Sequence, residues 1–134
     1  MTNGFKRIVM EVIPHQDHRY DTLGDYWIEG DTWHFRTSDL GDWRCNFSVL
    51  LHEFVEFALM THKGIKEEDV LAFDLAVPSD SLYADDPGFD PSAPYHVEHV
   101  YADCMERLIS PHLGMSFTDT WDAASKLPQW KESK

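Results

Sequence analysis

Three polar residues set in an apolar run offer the clearest chemistry in this 134-residue chain. His52, Glu53 and Glu56 interrupt a run of leucine, phenylalanine, valine and alanine at residues 50–59. In a helix, His52 and Glu56 project from one face a turn apart, which is the spacing that lets one helix bind a metal ion through two side chains. Glu53 lies about 100° round the helix from His52, where its carboxylate could accept a proton from a water at the same metal. The pattern His-Glu-x-x-Glu differs only in its last residue from the zinc-peptidase motif His-Glu-x-x-His.

An amphipathic helix whose polar stripe merely pairs His52 with Glu56 is the alternative interpretation. Aliphatic residues flank this stripe, whereas an ordinary surface helix shows a face dominated by charge. We therefore expect the stripe to be partly buried, and a buried carboxylate beside a histidine needs either a metal ion or a hydrogen-bond network. Zinc accepts a carboxylate in place of an imidazole. The exchange lowers the charge at the metal by one unit, which favours a weaker zinc site or another divalent metal.

A later helix, predicted over residues 95–109, supplies the candidates for further ligands. His99 and Asp103 are spaced i,i+4 there, and pairs from two helices build the carboxylate-imidazole sites of helical bundles. The predicted site uses His52, Glu56 and His99 to bind a divalent metal, with zinc as the first choice, and Glu53 as the general base. Asp103 is either a fourth ligand or a residue that orients His99. A half-buried histidine satisfied by hydrogen bonds and a solvent-exposed Asp103 are the open alternatives.

Two other clusters are weaker metal candidates. His15 and His18 lie three residues apart in a polar loop. Asp85, Asp86 and Asp90 could hold calcium together with backbone carbonyls, but their spacing is not that of an EF-hand. We interpret these aspartates as part of a solvated loop, residues 78–94, which four prolines stiffen and which precedes the helix of His99. This segment is called the proline-stiffened loop below.

The elements that position these residues predict an α+β fold in a single domain, residues 1–134. A small N-terminal antiparallel sheet of about three strands is expected in a β-rich part, residues 1–45. The helical part, residues 46–128, is centred on the motif helix 47–63, and the tail 129–134 is expected to fray. The predicted strands are 5–13, 25–29 and 32–37, and the other predicted helices are 66–75, 95–109 and 118–126. The third helix is expected to start after an N-cap at Ser92 and to bury Val97, Val100, Met105 and Leu108.

Composition limits the classes of partner. With 24 acidic against 11 basic residues, the net charge of -13 opposes binding to nucleic acid or anionic membranes and favours basic partners or divalent cations. No run approaches the ~20 apolar residues of a membrane span, and the N-terminus lacks the apolar stretch of a signal peptide. Two cysteines are too few for a disulfide scaffold. We therefore expect a cytoplasmic protein.

Several short stretches together resemble a group of small, uncharacterised phage and prophage proteins. The resemblance covers most of the chain and implies a bacterial host cell, but it implies no particular activity. Its residues are Pro14-His15, the octapeptide 19–26 (Arg-Tyr-Asp-Thr-Leu-Gly-Asp-Tyr), 51–56 (Leu-His-Glu-Phe-Val-Glu), 63–65 (Lys-Gly-Ile), 73–74, 90–95 and 98–99.

A second and more local resemblance is to zincin-type metallopeptidases, and it covers the motif helix and the sheet before it. It implies that His52 is a first zinc ligand and Glu53 the general base, with Glu56 where the second histidine belongs. It also implies a peptide substrate, held in extended form beside a strand.

Two functions from different classes follow. The first is a metal-dependent hydrolase that uses the motif helix, either a zincin-like peptidase or a degenerate relative of one. The alternative is an acidic phage protein that binds or inhibits a basic host factor, with the motif helix structural.

Overall fold

The computed structural model describes residues 4–132, which form a three-stranded sheet followed by four α-helices. This confirms the predicted α+β fold with an N-terminal sheet. The strands and helices are β1 (Arg7–Ile13), β2 (Gly24–Glu29), β3 (Thr32–Ser38), α1 (Trp43–Lys63), α2 (Glu67–Ala76), α3 (His96–Ile109) and α4 (Asp119–Ala124).

The sheet is mixed, which corrects the antiparallel sheet predicted from the sequence. Strand β3 is central and pairs antiparallel with β2 through a tight turn, in which Gly30 has a φ of 63°. Strand β1 pairs with β3 in parallel, with Arg7 opposite Thr32. Alternating apolar residues predict a strand but do not specify which neighbour it pairs with. Here the loop 14–23 places β2 on the far side of β3, so both β1 and β2 are edge strands.

One face of the sheet packs on α1. Burial alternates along β3, so that Trp33, Phe35 and Thr37 all point to the same side. Phe57 of α1 meets the rings of Trp33 and Phe35 edge-on, with centroids 4.9 and 5.8 Å apart. The buried core residues are Tyr26, Trp33, Phe35, Phe57, Met60, Val70, Ala93 and Tyr95.

Helix α1 is central, because it packs on the sheet with one side and on α3 with the other. It begins earlier than predicted, since the Asp42 carboxylate accepts the Arg44 N–H at 2.9 Å and caps the helix. It ends where predicted, at Gly64, whose φ of 74° suits glycine. The polar stripe of α1 lies on the side that packs against α3, so His52 and Glu56 are buried.

Helix α3 differs from its prediction in two ways. It starts at His96 rather than after Ser92, whose N–H and hydroxyl both bond to the Asp90 carboxylate instead. Val97, Met105 and Leu108 are 51%, 41% and 68% exposed, so assigning them to the core was wrong. The buried face of α3 is carried by Glu98, His99 and Ala102.

The C-terminal tail is held in place as far as the structure describes it. Residues 129–132 have no regular secondary structure, yet the backbone of Lys131 is paired with the side chain of Gln16. The predicted fraying is therefore wrong at Lys131, and residues 133 and 134 lie outside the described residues. Within residues 4–132, no helix has both the length and the apolar character needed to span a membrane.

Candidate metal centre

Three ligand atoms from α1 and α3 converge on one point. Glu56 Oε2 lies 2.9 Å from His52 Nε2 and 2.8 Å from His99 Nδ1. The two imidazole nitrogens are 3.1 Å apart. All three side chains are buried, and together they form a group that could hold a metal ion. His52, Glu56 and His99 are called the metal group below.

The spacing of these atoms fits a zinc site. With bonds of ~2.0–2.1 Å, tetrahedral ligand atoms lie roughly 3.3–3.4 Å apart. The sides of the observed triangle would therefore need to lengthen by about 0.2–0.6 Å. Two imidazoles and one carboxylate are also a donor set of catalytic zinc sites, which keep a fourth position open. His99 thus supplies a second imidazole beside His52, which the His-Glu-x-x-Glu motif does not itself contain.

Each histidine of the group has a carboxylate at its other ring nitrogen. His52 Nδ1 lies 2.5 Å from Glu106 Oε1, on α3. His99 Nε2 lies 2.9 Å from Asp86 Oδ1, an ion pair outside the angular range of a hydrogen bond. Metal-binding histidines almost always contact such an outer group, which fixes the ring and makes the ligand more basic. This second layer of carboxylates is what a metal centre needs.

Neighbouring carboxylates raise the pKa of both histidines of the group. Burial alone would lower the pKa of His52, but hydrogen bonds to Glu106 and Glu56 outweigh it and hold that pKa well above its usual value. Burial would also lower the pKa of His99, but its interactions with Asp86 and Glu56 outweigh burial and raise that pKa to about 9. Both rings therefore favour the protonated form near neutral pH, so a metal ion would have to displace protons to bind here.

Glu53 lies beside the group but is not part of it. Its carboxylate packs against the backbone of Gly24, so closely that a Cβ at Gly24 would stand 2.5 Å from Glu53 Oε1. Burial and the nearby charge of Glu56 raise the pKa of Glu53 above its usual value. The half-buried Glu53 side chain lines the cleft described next.

The group opens into a cleft of about 810 Å³. This volume falls within the range of small-molecule and peptide sites. The cleft walls come from the edge strand β2, the loop before it, α2, the proline-stiffened loop and the C-terminal segment. Tyr20, Tyr26 and Tyr95 add aromatic surface close to the metal group.

The structure does not bring Asp103 to the other three predicted ligands. Its carboxylate accepts a hydrogen bond of 2.7 Å from Arg107 Nε, one helical turn further on. Asp103 therefore contacts a basic side chain four residues further along its own helix. Asp103 nevertheless lines the cleft. Asp86 takes the role foreseen for Asp103 as the acid beside His99.

The two weaker clusters are not metal groups in the described part of the chain. His15 Nδ1 and His18 Nε2 lie 2.7 and 2.9 Å from the buried Ser38 hydroxyl, so they tie their loop to β3. In the proline-stiffened loop, Asp86 and Asp90 face different partners, His99 and Ser92.

Sequence reasoning missed four residues that shape the centre. Glu106 could have been found, since it lies two turns after His99 on the same helix. Asp86 could not, because a loop residue has no periodicity that predicts its direction. Gly24 and Gly88 leave room for Glu53 and for the His99 ring. A Cβ at Gly88 would stand 2.6 Å from His99 Nδ1, and nothing in the local sequence signals that approach.

Comparisons of the chain with protein-family models, with curated proteins and with solved structures gave no match. The resemblances to phage proteins and to zincins therefore stay predictions. The geometry of the metal group carries the functional argument.

Proposed function

We propose that the protein is a metal-dependent hydrolase of peptidase type, with zinc as its metal, acting in the bacterial cytoplasm. One observation carries the proposal: His52 Nε2, His99 Nδ1 and Glu56 Oε2 lie 2.8–3.1 Å from one another. The outer carboxylates on both histidines support it. A buried, open-sided donor set of this kind suits catalysis better than a closed structural site does.

The residues of the chain divide the work of hydrolysis between them. His52, His99 and Glu56 would hold the metal, and bound zinc would supply Lewis acidity to a water and to the scissile carbonyl. The adjacent Glu53, in its ionised form, would accept a proton from the attacking water and pass it to the leaving amine. Residues 24–26 of the edge strand β2 line the cleft, and an edge strand is where an extended peptide could add to the sheet.

A second candidate function, a binding protein for a basic host factor, is favoured by a different observation. Val97, Tyr101 and Leu108 form an exposed apolar stripe on α3 of a chain whose net charge is -13. Exposed apolar surface rimmed by charge is typical of an interaction face. In this case a bound ion would only join α1 to α3.

Elemental analysis of untagged protein tests the hydrolase proposal. We expect about one zinc per chain in the wild type and its loss in His52→Ala and in His99→Ala. Protein that carries no metal and takes up none on zinc titration would overturn the proposal. If metal is present, Glu53→Gln decides between the two candidates. Retained metal with lost hydrolysis supports the enzyme, and retained metal with unchanged activity supports a structural ion.

A further inference from the structure

Acidic side chains outnumber basic ones in the lining of the cleft around the metal group. Nine of the residues that line it are aspartate or glutamate, and none of the lining residues in the described chain is lysine or arginine. Arg19 and Arg107 reach Asp25 and Asp103 from outside the lining. The nine acidic residues therefore outnumber the four positive charges that these two arginines and a divalent metal would supply. The remaining negative charge lies in a concave, partly desolvated space, which concentrates its field.

The C-terminal segment of the chain itself lies against this cleft. Residues 127–130 line it, and just outside the lining the side-chain amide of Gln16 pairs with both backbone groups of Lys131. The Lys131 N–H donates to Gln16 Oε1 at 2.9 Å, and Gln16 Nε2 donates to the Lys131 carbonyl. Pairing with N–H and C=O at once holds extended backbone whatever its side chains are.

Aromatic side chains complete the surface that such a segment would meet. Tyr20, Tyr26 and Tyr95 line the cleft near the metal group, and Trp121 and Trp130 line its other end. Ring faces attract ammonium and guanidinium groups. They also cover the apolar stems of lysine and arginine side chains.

We propose that the cleft binds an extended peptide that carries lysine or arginine side chains. The inference rests on the proposed function for the chemistry at the metal, and it adds the substrate class. The cationic side chains of the peptide meet the lining carboxylates that no arginine pairs. Their apolar stems pack on the lining tyrosine and tryptophan rings. Asp21 and Asp85 are the exposed members of the acidic lining that the metal group does not use.

Fluorescence anisotropy with three labelled decapeptides tests this inference. The peptides share one serine-alanine scaffold with three lysines, three glutamines or three glutamates. Binding is measured on the full chain after chelation, so that no hydrolysis interferes. We expect the lysine peptide to bind at least about tenfold more tightly than the glutamine peptide, as two or three screened ion pairs provide. The preference should shrink as salt is raised from about 20 to 200 mM. Equal affinity for the three peptides, or no binding of any, overturns the proposal.

A matched pair of double variants separates the cleft from the overall charge. Asp21→Asn/Asp85→Asn changes two lining residues, and Asp31→Asn/Asp80→Asn changes two exposed aspartates outside the lining. Both change the net charge equally. We expect the first pair to weaken binding of the lysine peptide about three- to tenfold and the second to leave it within twofold. Equal losses in both would overturn the proposal.

The metal-loaded protein is then tested for hydrolysis of the same peptides. Charge-selective binding without hydrolysis would count against the proposed function alone. Hydrolysis without charge selectivity would count against this inference alone.

Discussion

Gly88 fixes the position of His99, and replacing it with alanine should disable the metal site. The His99 ring packs directly on the Gly88 backbone, and a Cβ there would lie 2.6 Å from both Nδ1 and Cδ2. Non-bonded heavy atoms rest ~3.5–4.0 Å apart, so the ring has to move by about 1 Å. Its Nδ1 then leaves the position 2.8 Å from Glu56 and 3.1 Å from His52.

The size of the effect follows from the role of His99. Losing a group that only supports a ligand costs ~10–100-fold in metal affinity, so displacing a ligand should cost at least about 100-fold. Overpacking typically costs ~1–3 kcal/mol of stability, so the variant should still fold. Competition with a chromophoric zinc chelator measures the affinity, and thermal unfolding of the metal-free protein checks the fold.

Gly24→Ala is the matched control. Here the added Cβ meets the Glu53 carboxyl, at 2.5 Å from Oε1 and 2.8 Å from Cδ. This is the far end of a flexible side chain that is not a metal ligand. We expect zinc affinity within about threefold of wild type and peptide hydrolysis reduced by ~10²-fold or more, because the general base is displaced. Zinc binding by a folded Gly88→Ala protein as tight as that of Gly24→Ala would refute this reasoning.

Three further predictions concern the same site. Asp86→Asn and Glu106→Gln should each weaken zinc binding by ~10–100-fold in equilibrium dialysis, whereas Asp103→Asn should leave it unchanged. Glu53→Gln should keep the zinc and lower hydrolysis of a fluorogenic peptide by ~10²–10⁴-fold. Burial lowers the pKa of His99, but the neighbouring carboxylates outweigh it and raise that pKa to about 9. In metal-free protein at neutral pH this ring therefore carries a proton, which zinc must displace. Zinc affinity should therefore increase with pH up to about 9 and fall in acid, with proton release measured by calorimetry in buffers of different ionisation enthalpy.

Each of these has an outcome that contradicts it. Equal effects of the changes at Asp86 and Asp103 would mean that the outer carboxylate on His99 does not matter. Full hydrolysis by the Glu53 variant would exclude that residue as the base. Calorimetric heats that do not depend on the buffer would show that no proton leaves on binding.

The part of the site on α1 could be predicted because helical periodicity is local. The i,i+4 spacing of His52 and Glu56 and the aliphatic residues around them were enough to predict a buried polar pair. His99 was predicted as a ligand for the same reason, since its spacing placed a polar residue on a packed helix. Both helices formed close to the predicted ranges.

What the sequence did not specify is the pairing between elements. Asp103 and Glu106 are both polar residues on α3, but only the packing angle of α3 on α1 decides which of them meets His52. The same angle leaves Val97 and Leu108 in solvent, although their residue types are those of a core. The parallel pairing of β1 likewise depends on the path of a loop, for which residue types give no rule.

Anomalous diffraction at the zinc edge, from crystals of zinc-loaded wild-type protein, tests the metal site most directly. We predict one strong peak ~2.0–2.2 Å from each of His52 Nε2, His99 Nδ1 and Glu56 Oε2, as for zinc bound by imidazole and carboxylate. A peak elsewhere, or full soaking with no peak between α1 and α3, would contradict the assignment of this group as a metal centre.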